Sequence, residues 1–292
     1  MRASRTRPSA VFAIGLAILC LSILATCVAS GKETTMELKT VTVLGKKINY
    51  VEQGQGTPVV LVHGNTGSSR WWSLVMDLPG CRTIALDMPN FGRSEALEVD
   101  DIDVYADHVA AFIKALGLEQ PVVVGHSLGG AVVMSMAARN TDLARAIVLT
   151  DSASPAGLKT PEAHYPYIEM YRTNRDLMRK ALASVAPTLQ DQALLDALAD
   201  DAMMMAGHAF SGNARALERF DYRDRAGAFK GPALVIWGRK DIIITEQMAR
   251  DTAAAYAGGR LEILDGVGHS VMVEAPEDFK RLLLGFVLSL EQ

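Results

Sequence analysis

The sequence predicts an α/β fold: a mostly parallel central sheet with helices on both faces, interrupted by a helical insertion. Three observations carry this. Short apolar runs without alternation recur along the chain, the pattern of strands buried on both faces. Amphipathic segments of helical spacing lie between most of them, as in a sheet built from strand–helix–strand units. One stretch, residues 155 to 228, breaks the rhythm and holds no convincing strand. At 292 residues and 49% hydrophobic content, the chain can bury a sizeable core and is no disordered polymer.

The elements follow in order. Val41 to Leu44 and Ile48 to Val51 flank Gly45-Lys46-Lys47 and predict a hairpin. The apolar runs are Pro58 to Val62, Arg82 to Leu86, Pro121 to Val124, Ala146 to Leu149, Ala233 to Trp237 and Leu261 to Leu264. Tyr105, Val109, Phe112, Ile113 and Leu116 recur at helical spacing, and Gly117 is placed to end that helix. Phe279, Leu282, Leu283, Phe286, Val287 and Leu290 do the same near the C-terminus, behind a first turn of Pro276, Glu277 and Asp278. Residues 155 to 228 read as several helices, one of them over Asp191 to Ala206, forming a lid over the end of the sheet. The core is then 31–154 and 229–292.

The first thirty residues belong to targeting. Arg2, Arg5 and Arg7 precede an apolar run from Ala10 to Ala29, the pattern of a secretory signal with a cleavage site at Val28-Ala29-Ser30. Leu24-Ala25-Thr26-Cys27 resembles a bacterial lipobox, with Thr26 departing from its usual residue. An uncleaved anchor helix is the third reading, since the run approaches the ~20 residues that span a bilayer. All three export the body of the protein, and two of them attach it to a membrane. Losing residues 1 to 27 removes three positive charges and moves the net charge from −4 to −7.

Charge and cysteine usage exclude several classes. Lys and Arg number 29 against 33 Asp and Glu, with no basic stripe, which argues against a nucleic-acid partner. The three cysteines cannot make a disulfide framework, and no Cys-x-x-Cys or His-x-x-x-His pattern points to structural zinc. Cys81 opens a buried run and reads as a core residue.

The chemistry sits where strands end. Gly125-His126-Ser127-Leu128-Gly129 follows the run Val122 to Val124 and precedes a helix-prone segment. This is Gly-x-Ser-x-Gly in its strand–turn–helix context, which lifts a serine hydroxyl above the sheet edge. A serine needs a base. His269, in Gly266-Val267-Gly268-His269, follows the last apolar run and lies on the same edge, where open α/β sheets bind ligands. His126 reads as packing, and His108, His164 and His208 as structural or solvent-facing. The imidazole needs a carboxylate. Asp241, ending Trp237-Gly238-Arg239-Lys240-Asp241, is favoured over its rival Asp151, while Asp87 reads as a turn residue. His63-Gly64-Asn65 brings backbone to the same edge, where the N–H groups of Asn65 and Leu128 would receive a developing oxyanion.

These landmarks, with Asp87-Met88-Pro89-Asn90-Phe91-Gly92-Arg93-Ser94 between them, resemble the lid-bearing branch of the α/β-hydrolase superfamily over residues 38 to 290. The resemblance implies a triad of Ser127, Asp241 and His269 and an oxyanion hole from Asn65 and Leu128. Related haloalkane dehalogenases and epoxide hydrolases carry Asp where this chain has Ser127, which argues against both activities.

The expectation is an exported serine esterase or lactonase working through an acyl-enzyme, requiring no metal or organic cofactor. Trp71, Trp72, Met204 and Phe210 are expected to line a site for a small hydrophobic ester-type substrate. The competing readings are a C–C bond hydrolase or a perhydrolase on the same triad, and a non-catalytic ligand receptor.

Overall fold

The computed structural model describes residues 37–291. The N-terminal segment read as an export signal, with Cys27, lies outside them. No helix among the described residues is long and apolar enough to cross a membrane.

One sheet of eight strands organises the chain, in the order β1-β2-β4-β3-β5-β6-β7-β8. The strands are β1 (Lys39–Val43), β2 (Lys46–Gly54), β3 (Thr57–Val62), β4 (Cys81–Leu86), β5 (Val122–His126), β6 (Ala146–Thr150), β7 (Ala233–Gly238) and β8 (Arg260–Leu264). Pairings from β4 through β8 are parallel, while β1–β2 and β2–β4 are antiparallel. Every residue of β5, β6 and β7 is buried, so both faces of the sheet are covered there. That is the physical meaning of runs such as Val122-Val123-Val124, where alternation would have signalled one wet face. At the edge, β8 is only partly buried along its length.

The hairpin forms, but its turn is shorter than the sequence suggests. Leu44 and Gly45 take φ of 48° and 77°, and Lys46 and Lys47 already belong to β2. Two consecutive left-handed residues match the right-handed twist of paired strands, which the longer Gly45-Lys46-Lys47 loop would not do as well.

Helices fill the crossovers: α1 (Ile102–Ala115), α2 (Leu128–Arg139), α7 (Glu246–Ala254), α8 (Val271–Glu274) and α9 (Pro276–Ser289). Asp101 caps α1 by accepting the N–H groups of Asp103 and Val104. Pro276 opens α9, where a missing N–H costs nothing. Between β6 and β7 the chain forms α3 (Tyr165–Tyr171), α4 (Arg175–Val185), α5 (Gln192–Ala202) and α6 (Ala209–Arg219). No strand interrupts them among the described residues; one isolated bridge pairs Ser154 with Gly157. The helix expected over Asp191 to Ala206 stops at Ala202. Asp191 caps its start through the Leu194 N–H, and Met203 to Met205 continue in tight turns instead.

Candidate active site

The site starts from a strained turn. β5 ends at His126, and Ser127 takes φ 53° and ψ −117° before α2 begins. A residue with a side chain tolerates that region only when its surroundings enforce it. Here they do. The Ser127 N–H donates to the Thr150 carbonyl (3.1 Å), and the Ser127 carbonyl accepts from Gly130 (2.9 Å) and Ala153 (3.2 Å). Two glycines make the turn geometrically possible. A Cβ at Gly125 would collide with the Gly129 carbonyl, and one at Gly129 with the carbonyls of Val62 and His63.

The turn brings the Ser127 hydroxyl 3.0 Å from Nε2 of His269, which stands between β8 and α8. On its other side, Nδ1 of His269 lies 2.7 Å from Oδ2 of Asp241, in the turn after β7. The second oxygen of Asp241 accepts from the N–H groups of Ile243 (2.7 Å) and Ile244 (2.9 Å), so the carboxylate is held from both ends. A carboxylate can only accept. Nδ1 therefore carries the proton, and Nε2 is left to accept from the serine hydroxyl. A hydroxyl, an imidazole and a carboxylate in this sequence can move a proton off the hydroxyl and stabilise the resulting cation.

The His269 main chain is fixed separately. Its N–H donates to the Val185 carbonyl at the end of α4 (3.1 Å), and its carbonyl accepts from Nε2 of His126 (2.7 Å). Burial, together with the charge of His269, holds His126 far below the ordinary histidine range, so it stays neutral and donates from Nε2. At His269 itself burial opposes protonation, but the charge and hydrogen bond of Asp241, with Asp151 and Glu274 behind it, outweigh burial and raise its proton affinity.

Asp151 is the second carboxyl of this cluster. It is fully buried, takes φ 43°, and accepts the N–H groups of Gly238 (2.9 Å) and Val271 (3.3 Å). Burial, with the neighbouring charge of Asp241, pushes it up to about 8. It touches the two loops that carry Asp241 and His269, but the hydrogen bond to the imidazole belongs to Asp241.

The loop after β3 completes the rim. His63 is buried and structural: Nδ1 donates to the Gly64 carbonyl (2.8 Å), and Nε2 accepts from Met88 N–H (3.0 Å). Asp87 likewise braces turns, accepting from Ser69 and Arg93 N–H. The N–H groups of Asn65 and Leu128 have no acceptor among the described residues. Both stand beside Ser127, and Asn65 lines the adjoining cavity.

That cavity is about 180 Å³ and opens onto Ser127 and His269. Trp71 and Phe210 line it, as the sequence suggests. Trp72 and Met204 do not. Trp72 is wholly buried against Phe279, one turn position away from Trp71 and facing the core. Met204 sits in the turn after α5 and is 40% exposed. Instead α3 and α4 supply Ile168, Tyr171, Met178, Leu182 and Val185, and Ile243 adds a wall from beside Asp241. The spacing of Met178, Leu182 and Val185 marks an apolar helical face in the sequence, but not what that face covers. His108 is buried on α1 and bonded to the Val104 carbonyl, His164 is exposed, and His208 pairs with Asp100; none lines the cavity.

The fold and its landmarks have known counterparts. A model of the alpha/beta hydrolase family matches residues 59–282. The chain is 30% identical over 260 residues to an AB hydrolase superfamily protein, YisY, of Bacillus subtilis, covering 81% of this chain and 94% of that one. It is 26% identical over 264 residues to a 2-hydroxy-6-oxo-6-(2'-aminophenyl)hexa-2,4-dienoic acid hydrolase of Metapseudomonas resinovorans, covering 83% and 88%. Among solved structures, an enol-lactonase from Burkholderia xenovorans LB400 superposes with a TM-score of 0.78 at 23% identity, covering 86% of this chain and all of that one. With the parallel sheet, the Gly-x-Ser-x-Gly turn after β5 and a family match across more than half its length, this chain belongs to the α/β-hydrolase family.

Proposed function

We propose that the protein is an exported serine hydrolase that cleaves a carboxylic ester or lactone of small apolar substrates through an acyl-enzyme. The carrying observation is the line Ser127–His269–Asp241, with hydrogen bonds of 3.0 and 2.7 Å, opening on an apolar cavity, with the N–H groups of Asn65 and Leu128 lacking an acceptor among the described residues. In this reading Ser127 Oγ attacks the carbonyl carbon as its proton passes to Nε2 of His269. Asp241 keeps the imidazole in the required tautomer and stabilises the imidazolium. The N–H groups of Asn65 and Leu128 receive the oxyanion, each supplying about 3 kcal/mol in the transition state. His269 returns the proton to the departing alkoxide, and the alcohol leaves. Water, deprotonated by His269, then releases the acid and restores Ser127. The helices between β6 and β7 act as a lid that fixes which acyl groups enter.

The name of the dienoic acid hydrolase relative favours a second reading, cleavage of a C–C bond beside a carbonyl on the same three residues. Such a substrate carries a carboxylate. Among the described residues no Lys or Arg lines the cavity, and an unpaired carboxylate there would lose its hydration without compensation. The ester reading therefore stands first.

Labelling with a fluorophosphonate, followed by turnover of p-nitrophenyl esters, tests it. Ser127 should carry the label, and Ser127→Ala should lose label and turnover together. A label elsewhere, or an alanine variant with full turnover, sinks the mechanism. Dienoate cleavage without ester turnover would install the second reading.

A further inference from the structure

Beside the site runs a line of four polar side chains, three of them buried, drawn from four separate segments. Asn90 follows β4, Tyr105 lies on α1, Asn213 on α6, and Asn65 follows β3. Asn90, Tyr105 and Asn213 are essentially inaccessible to solvent. Buried amides and hydroxyls cost stability unless paired, and every link here is paired.

The direction of each link can be read from one unambiguous donor. The Leu97 main-chain N–H donates to Oδ1 of Asn90 (2.6 Å), which makes the other end of that amide the NH₂ group. The two hydrogens of Asn90 Nδ2 face three acceptors, of which the Tyr105 hydroxyl is nearest (2.8 Å), with the Val99 carbonyl (3.1 Å) and Asp100 (3.2 Å) sharing the other. The hydroxyl, having accepted, donates onward to Oδ1 of Asn213 (2.9 Å), with Asp100 as a longer alternative at 3.3 Å. That leaves Nδ2 of Asn213 to donate to Oδ1 of Asn65 (2.9 Å), with a weak contact to Met205 Sδ (3.8 Å). With the Tyr105 hydrogen on its nearer acceptor, each bond orients the next, and the Asn213 amide turns its NH₂ group toward Asn65.

Asn65 lines the cavity, and its N–H has no acceptor among the described residues. The ends of its loop are tied to other segments: His63 Nε2 accepts from Met88 N–H (3.0 Å), and the Ser68 hydroxyl donates to Asp201 (2.7 Å). Between them Thr66 takes φ 56°, and the bonds are internal to the loop: Gly67 N–H and His63 Nδ1 to the Gly64 carbonyl (3.2 and 2.8 Å) and the Thr66 hydroxyl to the Asn65 carbonyl (2.6 Å). At Asn65 itself, the Asn213 amide supplies the side-chain tie to a distant segment.

We infer that Asn213, on the helical segment between β6 and β7, is a positioning residue for the oxyanion site: its side-chain amide, oriented through Tyr105 and Asn90, holds Asn65 in place. The inference rests on the ester-hydrolase reading above. It makes α6 part of the reaction machinery as well as part of the cavity roof.

The test uses the full chain with p-nitrophenyl butyrate, rates being divided by active sites counted with a fluorophosphonate. Asn213→Leu keeps the branching and the number of heavy atoms and removes the amide's donor and acceptor. It should lower kcat per active site at least tenfold, leave KM within twofold, and weaken a trifluoromethyl ketone inhibitor by the same factor as kcat. A structural role alone would reduce the number of active sites or the melting temperature without that matched loss. Tyr105→Phe removes one oxygen from the middle of the line; it should give a smaller fall in kcat, of twofold to fivefold, and keeps the test readable if the leucine variant does not accumulate. Unchanged kcat per active site in the variants that fold overturns the inference. So does a KM effect without a kcat effect. The two failures separate: if Ser127→Ala retains turnover, the mechanism falls, whereas an inert Ser127→Ala beside a fully active Asn213→Leu removes only the role of Asn213.

Discussion

At His269 two opposing effects meet. Burial disfavours the imidazolium, while Asp241, Asp151 and Glu274 favour it and prevail. A general base must be neutral to accept a proton, so a raised proton affinity narrows the useful range from the acid side. Hydrolysis should therefore rise with pH through a midpoint above the 6.5 of an ordinary histidine, which a kcat/KM profile on a pH-insensitive ester would display. A midpoint at or below that value would contradict the arrangement. Removing the principal partner should also move the profile: residual activity in Asp241→Asn should have its acid limb at lower pH, with kcat down by ~10⁴. The parallel change at Asp151 separates the two acids. Asp151→Asn keeps the Gly238 contact but leaves the Val271 N–H facing an amide, a loss on the order of 1–3 kcal/mol, so its kcat should fall far less than that of Asp241→Asn. Equal losses would restore Asp151 as the acid.

The turn between β5 and α2 shows how an element can be legible in sequence and still depend on distant backbone. Gly-x-Ser-x-Gly reads directly because its requirements are local: a strand, a sharp reversal and a helix in adjacent residues. What Gly129 meets is not local, since the obstructing carbonyls belong to Val62 at the end of β3 and to His63 just after it. Gly129→Ala should push α2 away from β3 at a cost above ~1–3 kcal/mol, seen as a lower melting temperature and loss of fluorophosphonate labelling. Normal labelling with an unchanged melting temperature would mean the turn has more room than this packing shows. The same contrast explains what the sequence could not convey. Ser127, Asp241 and His269 each follow an apolar run within a few residues, so their place on one edge follows once those strands are parallel. The bond from His269 N–H to Val185, and that from Asn213 to Asn65, join residues 84 and 148 positions apart. No periodicity encodes such pairs. Trp71 and Trp72 illustrate the limit at single-residue range, since one turns to the cavity and its neighbour to the core.

Across the whole molecule, the strand ends of the sheet carry Ser127, Asp241 and His269, and the segment between β6 and β7 supplies much of the cavity wall. At about 180 Å³, the space is comparable to an apolar cavity of ~150 Å³ that holds one benzene ring. Butyrate and benzoate esters should accordingly be turned over faster than laurate esters, and competition assays between them measure this. Leu182→Trp, on α4, should depress kcat/KM for benzoate by ~tenfold or more while sparing acetate; an equal loss on both would show that α4 does not set the wall.

The tie between Asn213 and Asn65 bears on how such a protein can diversify. The gap between β6 and β7 looks like a socket into which any roof could be plugged, each admitting a new clientele to the same reaction. With the amide of α6 bonded to the Asn65 loop, the plug carries a pin of its own. A transplanted roof lacking that pin would admit its new guests and then serve them slowly, until a replacement brace arose on one side of the joint or the other.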